Sequence, residues 1–411
     1  YCKGILKKFD VAFLFAIGVL TALFVLIFLL LEDYVYFWDY GSYWVKSLDV
    51  AKAMRADFGT ALFDAFIVSV NKSEYNDFIC AIMVAPLLLG GRTYVGFYFF
   101  VCVLFYFPAV FVIAVTIRKF VAADGYGSYV SVGAICLIVL LVGIGIVPIL
   151  NGYADAFCLL PISILFYTAF ERRFRIFNRT DAVVTSVCLL TVALGRRYYL
   201  YFLVGFVASV VFVNTFDILS RKIRGVDAKK EFFGFVRNML TIGGICLFCL
   251  CTIFSGFTKM SLFGNYSDAY QAYGLGSVAR NLINTLKMCG VLPCVFAVIG
   301  IFALLIMKKY YVLSFLSLSS VLGGVLFSTV QTTGQQHLYI LYFQLAALDA
   351  AGAFGIVVLM SKIGLALETR FSTVDRGVFV KSALLRRGIM SRVGVSLAAL
   401  AMSFNFLCVT I

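Results

Sequence analysis

Residues 10–31, DVAFLFAIGVLTALFVLIFLLL, decide the fold class: after one acid, no charge appears over a length that crosses a bilayer. The run is too long for a secretory signal and no small-residue cleavage site follows it, so it reads as a retained helix. Working outward, the rest of the chain repeats the pattern. Of 411 residues, 63% are hydrophobic and only 13% charged, which leaves too little polar surface for a soluble domain. The apolar stretches are continuous and do not alternate with period two, so a β-barrel is disfavoured. The expected fold is all-α, a polytopic transmembrane helical bundle forming a single domain over 1–411. Tyr1 and Ile411, the latter inside an apolar run, suggest that native sequence continues past both ends.

About eleven spans are expected, near 10–31, 94–117, 127–147, 155–170, 182–195, 198–216, 238–256, 289–307, 310–330, 339–361 and 393–411. The run 78–90 reaches only about 20 Å at 1.5 Å per residue, against a hydrocarbon core of about 30 Å. It is read as an interfacial or re-entrant helix. With it left out, six segments share one side: 3–8, Arg118-Lys119, 171–181, 217–237, Lys308-Lys309 and 362–392. They hold 24 of the 34 Lys and Arg residues, which puts the N-terminus in the cytoplasm. The net charge of +14 then reports loops facing anionic lipid, not nucleic acid.

The first extracytoplasmic loop, 32–93, is long and acidic. Trp44, Leu48, Ala51 and Met54 pattern as one surface helix, and Leu62, Phe66 and Val70 as a second. Short external turns follow at 150–155, 195–198 and 331–337, with a moderate one at 256–287. The twelve cysteines fall mostly in apolar runs; Cys246, Cys249 and Cys251 read as small buried hydrophobes because no His lies near them.

Polar outliers gather on this external face. Asp39, in Phe37-Trp38-Asp39-Tyr40-Gly41-Ser42-Tyr43-Trp44, is a carboxylate against aromatic surface, suited to accept a proton from a sugar hydroxyl. Tyr40, Tyr43 and Trp44 could stack on a sugar or prenyl chain; an interfacial aromatic belt is the plainer alternative. Asp155 follows the helix-breaking Pro148 and Gly152, and could equally be an ordinary acid at a helix N-terminus. Arg196 and Arg197, followed by Tyr198, oppose the positive-inside bias and suit a lipid phosphate or phospholipid headgroups. Gln335 and the sole histidine, His337, share a short turn rich in hydrogen-bonding groups, and one His makes a poor metal site. Gln344 and Asp349 fall inside a span, where an acid usually faces the bundle interior. No phosphate-binding G-x-x-x-x-G-K-[ST] loop and no dinucleotide fingerprint occur.

This order of features resembles the GT-C superfamily of integral-membrane glycosyltransferases, in particular bacterial protein mannosyltransferases and lipid A sugar transferases. The resemblance is best over residues 10–175. It implies a polyprenyl-phosphate sugar donor and a glycan, lipid or protein acceptor, and needs no nucleotide site or other certain cofactor. Phe37-Trp38-Asp39-Tyr40 stands where the family has its first-loop acid, and Gly152-Tyr153-Ala154-Asp155 where it has the second. Tyr40 replaces the second of two adjacent acids in the usual first-loop pattern. That favours Asp39 as a single general base, although a divalent cation stays compatible with the site. Asp155 would orient the acceptor or Asp39; Arg196, Arg197, Tyr198, Gln335 and His337 would hold the donor phosphate. The implied setting is the extracytoplasmic face of a bacterial plasma (inner) membrane. Rival readings are a lipid-linked oligosaccharide flippase or secondary transporter, for which no internal repeat is visible, and a polysaccharide polymerase or ligase.

Overall fold

The structure is a computed structural model that describes residues 8–32, 39–73, 75–121, 131–264, 276–371 and 402–403; the side chains of 8–10, 39–40 and 357–371 lie outside this description. The described residues form helices and no strand. Seven helices are long and apolar enough to cross a bilayer: Val11–Leu31, Tyr94–Val121, Ala154–Glu171, Tyr199–Ile223, Lys229–Ile253, Tyr310–Ser328 and Gln336–Ile356. Helices Val278–Cys289 and Val291–Ile306 make an eighth if the pair counts as one bent span. The Val11–Leu31 window is only 17% buried and that of Lys229–Ile253 only 11%, and among the described residues Phe15, Leu20, Leu240 and Phe248 are largely exposed on their outer faces. Apolar surface on that scale is stable against lipid and not against water. The fold is therefore a helical bundle of the membrane type.

Two expected spans are interrupted. Within 127–147, helix Val132–Leu141 ends at Val142, passes through the 3-10 turn Gly143–Gly145 and resumes as Val147–Leu150. Carbonyls at this break are satisfied by buried tyrosines: Tyr342 Oη donates to the Val139 carbonyl at 2.8 Å, and Tyr339 Oη to that of Gly145 at 3.0 Å. Around 289–307, the helix turns through 108° at Gly290, whose φ of 81° suits a residue without Cβ. The run 182–195 begins earlier than expected, at Arg179, because Asn178 caps the amides of Thr180 and Asp181. Most of the run 393–411 lies outside the described residues.

The first loop contains helix Asp39–Ala56 and a second helical stretch over 58–72, as the patterning predicts. Ala51 and Val70 are buried where the patterning places them, and the other buried positions fall one residue earlier than expected. Tyr43, Ser47 and Ala51 are buried on the first helix and Ala61, Ala65 and Val70 on the second, while Trp44, Leu48, Leu62 and Phe66 are half-buried. The run 78–90 folds as two short helices, Phe78–Ile82 and Val84–Leu88, mostly buried.

Asn71 ties this region to the bundle. Its Nδ2 donates to the carbonyls of Ile67 and Ile253 at 2.9 and 2.8 Å, and its Oδ1 accepts from Gly256 N at 2.8 Å and Phe257 N at 3.4 Å. It thus caps helix Ser255–Phe263, whose own N-cap residue supplies no side-chain bond. Asn71→Ala is expected to destabilise the protein by about 2 kcal/mol, and Asn71→Asp, which keeps the acceptor but sets a carboxylate oxygen against the Ile67 and Ile253 carbonyls, by at least as much. Thermal unfolding in detergent checks the order.

The polar side chains sort to two ends. At one, Lys119 pairs with Glu171 at 2.5 Å, Arg175 with Asp217 and Glu231, and Arg221 with Glu231. At the other lie 150–155, 195–198 and 331–337. Helix Ala154–Glu171, about 27 Å long at 1.5 Å per residue, separates them.

Candidate functional site

Asp155 is fully buried, and the local sequence explains how it gets there. Helix Val147–Leu150 ends in a left-handed turn at Gly152, φ 88°, where Tyr153 N reaches back to the Pro148 carbonyl at 2.8 Å. The reversed chain re-enters as a 3-10 turn, Ala154–Cys158, that leads into the next long helix. This sets Asp155 in the first turn of that helix, on the inner side of the bundle.

Arg196 meets it there. Helix Arg179–Gly195 stops at Gly195, and Arg196 is extended, with φ −147° and ψ 130°. Its Nε donates to Asp155 Oδ1 at 2.7 Å and its Nη2 to Oδ2 at 3.3 Å, a two-point guanidinium–carboxylate pair. Tyr198 Oη donates to the same Oδ1 at 3.0 Å, and Tyr199 Oη to the Asp155 carbonyl at 3.3 Å. Burial, then the Asp155 charge, raises the Tyr198 phenol well above its ordinary pKa, so it stays a donor through the working pH range. The guanidinium of Arg196 also lies over the ring of Tyr43, 4.5 Å from its centroid, which brings in the first-loop helix Asp39–Ala56.

The turn 331–337 closes the other side. Gln335 Oε1 accepts from Asn151 Nδ2 at 2.6 Å, and Tyr198 Oη is 3.2 Å from the Gln336 carbonyl. His337 stands edge-on to Tyr198 with centroids 4.9 Å apart, and its Nδ1 accepts from Gly334 N at 2.8 Å. A neutral ring so placed carries its proton on Nε2. Asn281 holds the turn in shape: it donates to Ser328 Oγ and the Gln331 carbonyl and accepts from Thr333 N.

Of the residues expected from sequence, Tyr43, Asp155, Arg196, Tyr198 and His337 are thus joined by contact, and Gln335, bonded to Asn151, lies in the same turn as His337. Arg197 is half-buried in the next position. Trp44 faces away, edge-on to Tyr94 at 5.7 Å. Asp39 and Tyr40 open helix Asp39–Ala56, and their side chains lie outside the described residues. Residues not anticipated are Asn151, Asn281 and Asn76, the last buried and donating to the Leu194 carbonyl at 3.2 Å, just before the arginines. Buried amides carry no periodic signal, so nothing in the sequence set these apart.

A cavity of about 530 Å³ opens between the two first-loop helices, lined by Lys46, Asp49, Asp64 and Asp77. Among the described residues, no three His, Cys, Asp or Glu side chains converge as metal ligands do. Comparison of the chain with protein-family models, with curated proteins and with solved structures gives no match.

Proposed function

We propose that this protein is a membrane glycosyltransferase of the GT-C type, which moves a sugar from a polyprenyl-phosphate donor to an acceptor hydroxyl outside the cytoplasm. The observation that carries the reading is the guanidinium of Arg196, pre-organised by Asp155 and Tyr43 at the end of the bundle where the Asp39 helix begins. In this reading the chain is one domain of about eleven spans, with its N-terminus in the cytoplasm and 32–93 outside a bacterial plasma membrane.

Asp39 takes the proton of the acceptor hydroxyl as its oxygen attacks the anomeric carbon. The bond from that carbon to the phosphate oxygen breaks, the configuration inverts, and the lipid phosphate leaves with the electron pair. Arg196 and Arg197 stabilise the departing anion, His337 lines the same site as a donor, and Tyr198 helps hold Asp155 beneath Arg196. Asp155 has both oxygens engaged, so it serves to position Arg196 and is poorly placed to act as a second base.

The bent pair Val278–Cys289 and Val291–Ile306, with the buried Asp349, favours a carrier as the second reading, because discontinuous helices and intramembrane acids build transport sites. One experiment separates the two. Proteoliposomes are given labelled polyprenyl-phosphate sugars and a mixture of acceptors. The transferase forms a new glycosidic bond, and Asp39→Asn slows it by at least about 10²-fold. Label that crosses the membrane with no bond formed decides for the carrier, and undiminished transfer by the variant removes Asp39 from its role.

A further inference from the structure

At the end of the bundle away from Asp155, a cavity of about 210 Å³ is lined by Lys119, Arg173, Lys309, Glu171, Tyr167 and Tyr311 among others. That is room for roughly seven waters at about 30 Å³ each. Lys119, Arg173 and Lys309 bring three cationic groups to the cavity wall, and Lys119 pairs with Glu171 at 2.5 Å. The Arg173 guanidinium lies over the ring of Tyr311, 4.2 Å from its centroid, and forms no ion pair among the described residues. Tyr311 is itself pinned, its Oη 3.4 Å from the Ala169 carbonyl and from Asn214 Oδ1.

The backbone around this cavity is unusual. The three non-glycine residues with positive φ among the described residues are Arg173 (50°), Phe174 (53°) and Lys308 (55°). All three lie in the two turns that line it. Such conformations cost about 1–3 kcal/mol each and persist only where the surroundings enforce them. Here Asn238 enforces one turn, donating to the carbonyls of Phe174 and Ile176 at 2.7 and 2.9 Å. The second turn leads into helix Tyr310–Ser328, whose first backbone bond is made by Leu313 N and whose N-cap has no side-chain bond. Its first amides add partial positive charge at the cavity wall.

We propose that this cavity binds a phosphate group, a second anion site on the opposite end of the bundle from Arg196. The phosphate belongs either to an anionic phospholipid headgroup or to a free phosphate compound. The site does not depend on the glycosyltransferase reading, since neither the donor site nor its residues enter it.

Native mass spectrometry of the full chain released from detergent tests it, with phosphatidylglycerol against phosphatidylcholine in one arm. In the other, inorganic phosphate or pyrophosphate is titrated in a thermal-shift assay. In the wild type, either phosphatidylglycerol is retained through delipidation or a soluble anion raises the melting temperature. Arg173→Gln with Lys309→Gln weakens that binding about tenfold or more, whereas Lys229→Gln with Lys230→Gln, removing two exposed lysines, leaves it intact. Thr116→Glu, which adds a carboxylate to the cavity wall and leaves the strained turns alone, must weaken it too. Retention of phosphatidylglycerol names the lipid source, and response to phosphate alone names the soluble one. If neither anion binds, or if either the double variant or Thr116→Glu binds as the wild type does, the proposal fails.

Discussion

Arg196→Ala is expected to destabilise the protein by about 3–5 kcal/mol and to abolish turnover, because it strands a carboxylate in the interior. Asp155 is fully buried and the Arg196 side chain is only 12% exposed, so bulk water cannot take over the role of either partner. Tyr198 would remain as a donor to Oδ1, but one neutral hydroxyl does not offset a missing guanidinium. Asp155→Ala should cost a similar amount from the other side. The decisive comparison is Asp155→Leu combined with Arg196→Met. Removing both charges together restores most of the lost stability, since the desolvation cost of the pair disappears with it. On the transferase reading, turnover should stay strongly reduced in the double variant, because one of the two guanidinium groups proposed to hold the phosphate is gone. Thermal unfolding in detergent with the transfer assay reads both quantities. Single variants that melt with the wild type would mean the pair is solvated and holds nothing in place. Arg196→Lys should also lose function: an ammonium cannot bond both carboxylate oxygens in the guanidinium plane while stacking on Tyr43.

Much of this pair was legible in the sequence, and its pairing was not. Asp155 and Arg196 each stand out as charges between apolar runs, and each suggests its own task, one as an acid near the acceptor and the other as a phosphate ligand. The structure joins them across 41 residues as a two-point pair, so the proposed task of Asp155 moves from orienting the acceptor or Asp39 to positioning Arg196. The helices were legible for a plain reason: continuous apolar runs have one stable solution in lipid. Where the runs break was harder to see. Gly143, Gly145 and Pro148 mark the first interruption by composition, but the tyrosines that make it tolerable, Tyr339 and Tyr342, lie 194 and 203 residues from the carbonyls they satisfy. Asn71 is a similar case. The triplet Asn71-Lys72-Ser73 has the form of a glycosylation acceptor, yet its amide is fully used within the fold, against backbone 182 residues on. The one-residue offset within the first-loop helices has another cause. Trp44 and Leu48 are the larger side chains, but the small Ser47 lets that helix approach its neighbours closely, so Tyr43 and Ser47 join the expected Ala51 on the inner face.

The second large effect is expected at Gly300. A Cβ there would stand 2.0 Å from the Leu348 carbonyl oxygen, and one at Gly352 would stand 2.1 Å from that of Phe296. Helices Val291–Ile306 and Tyr339–Phe371 therefore meet backbone to backbone, over a seam that also sets Ala303 against Gly355. Lipid tails are as apolar as leucine, so such helices associate through close packing and not through exclusion of water. A side chain at the seam has nowhere to turn, because the obstructing atoms are backbone. Gly300→Leu should cost about 3 kcal/mol or more, at or above the upper end for overpacked sites. Gly324→Leu is the control, since a Cβ there meets nothing within 4 Å, and it should be neutral or slightly stabilising. A second readout follows from Asp349, next to Leu348 on the same helix. Asp349 is fully buried, and neither carboxyl oxygen has a hydrogen-bond partner among the described residues. Its isolation depends on the seam staying closed. Forcing the helices apart admits water to it, so Asp349 should react with a polar carbodiimide in Gly300→Leu and resist it in the wild type and in Gly324→Leu. Mass spectrometry of the labelled peptide distinguishes the three, and equal labelling would show that something other than this seam shields the acid.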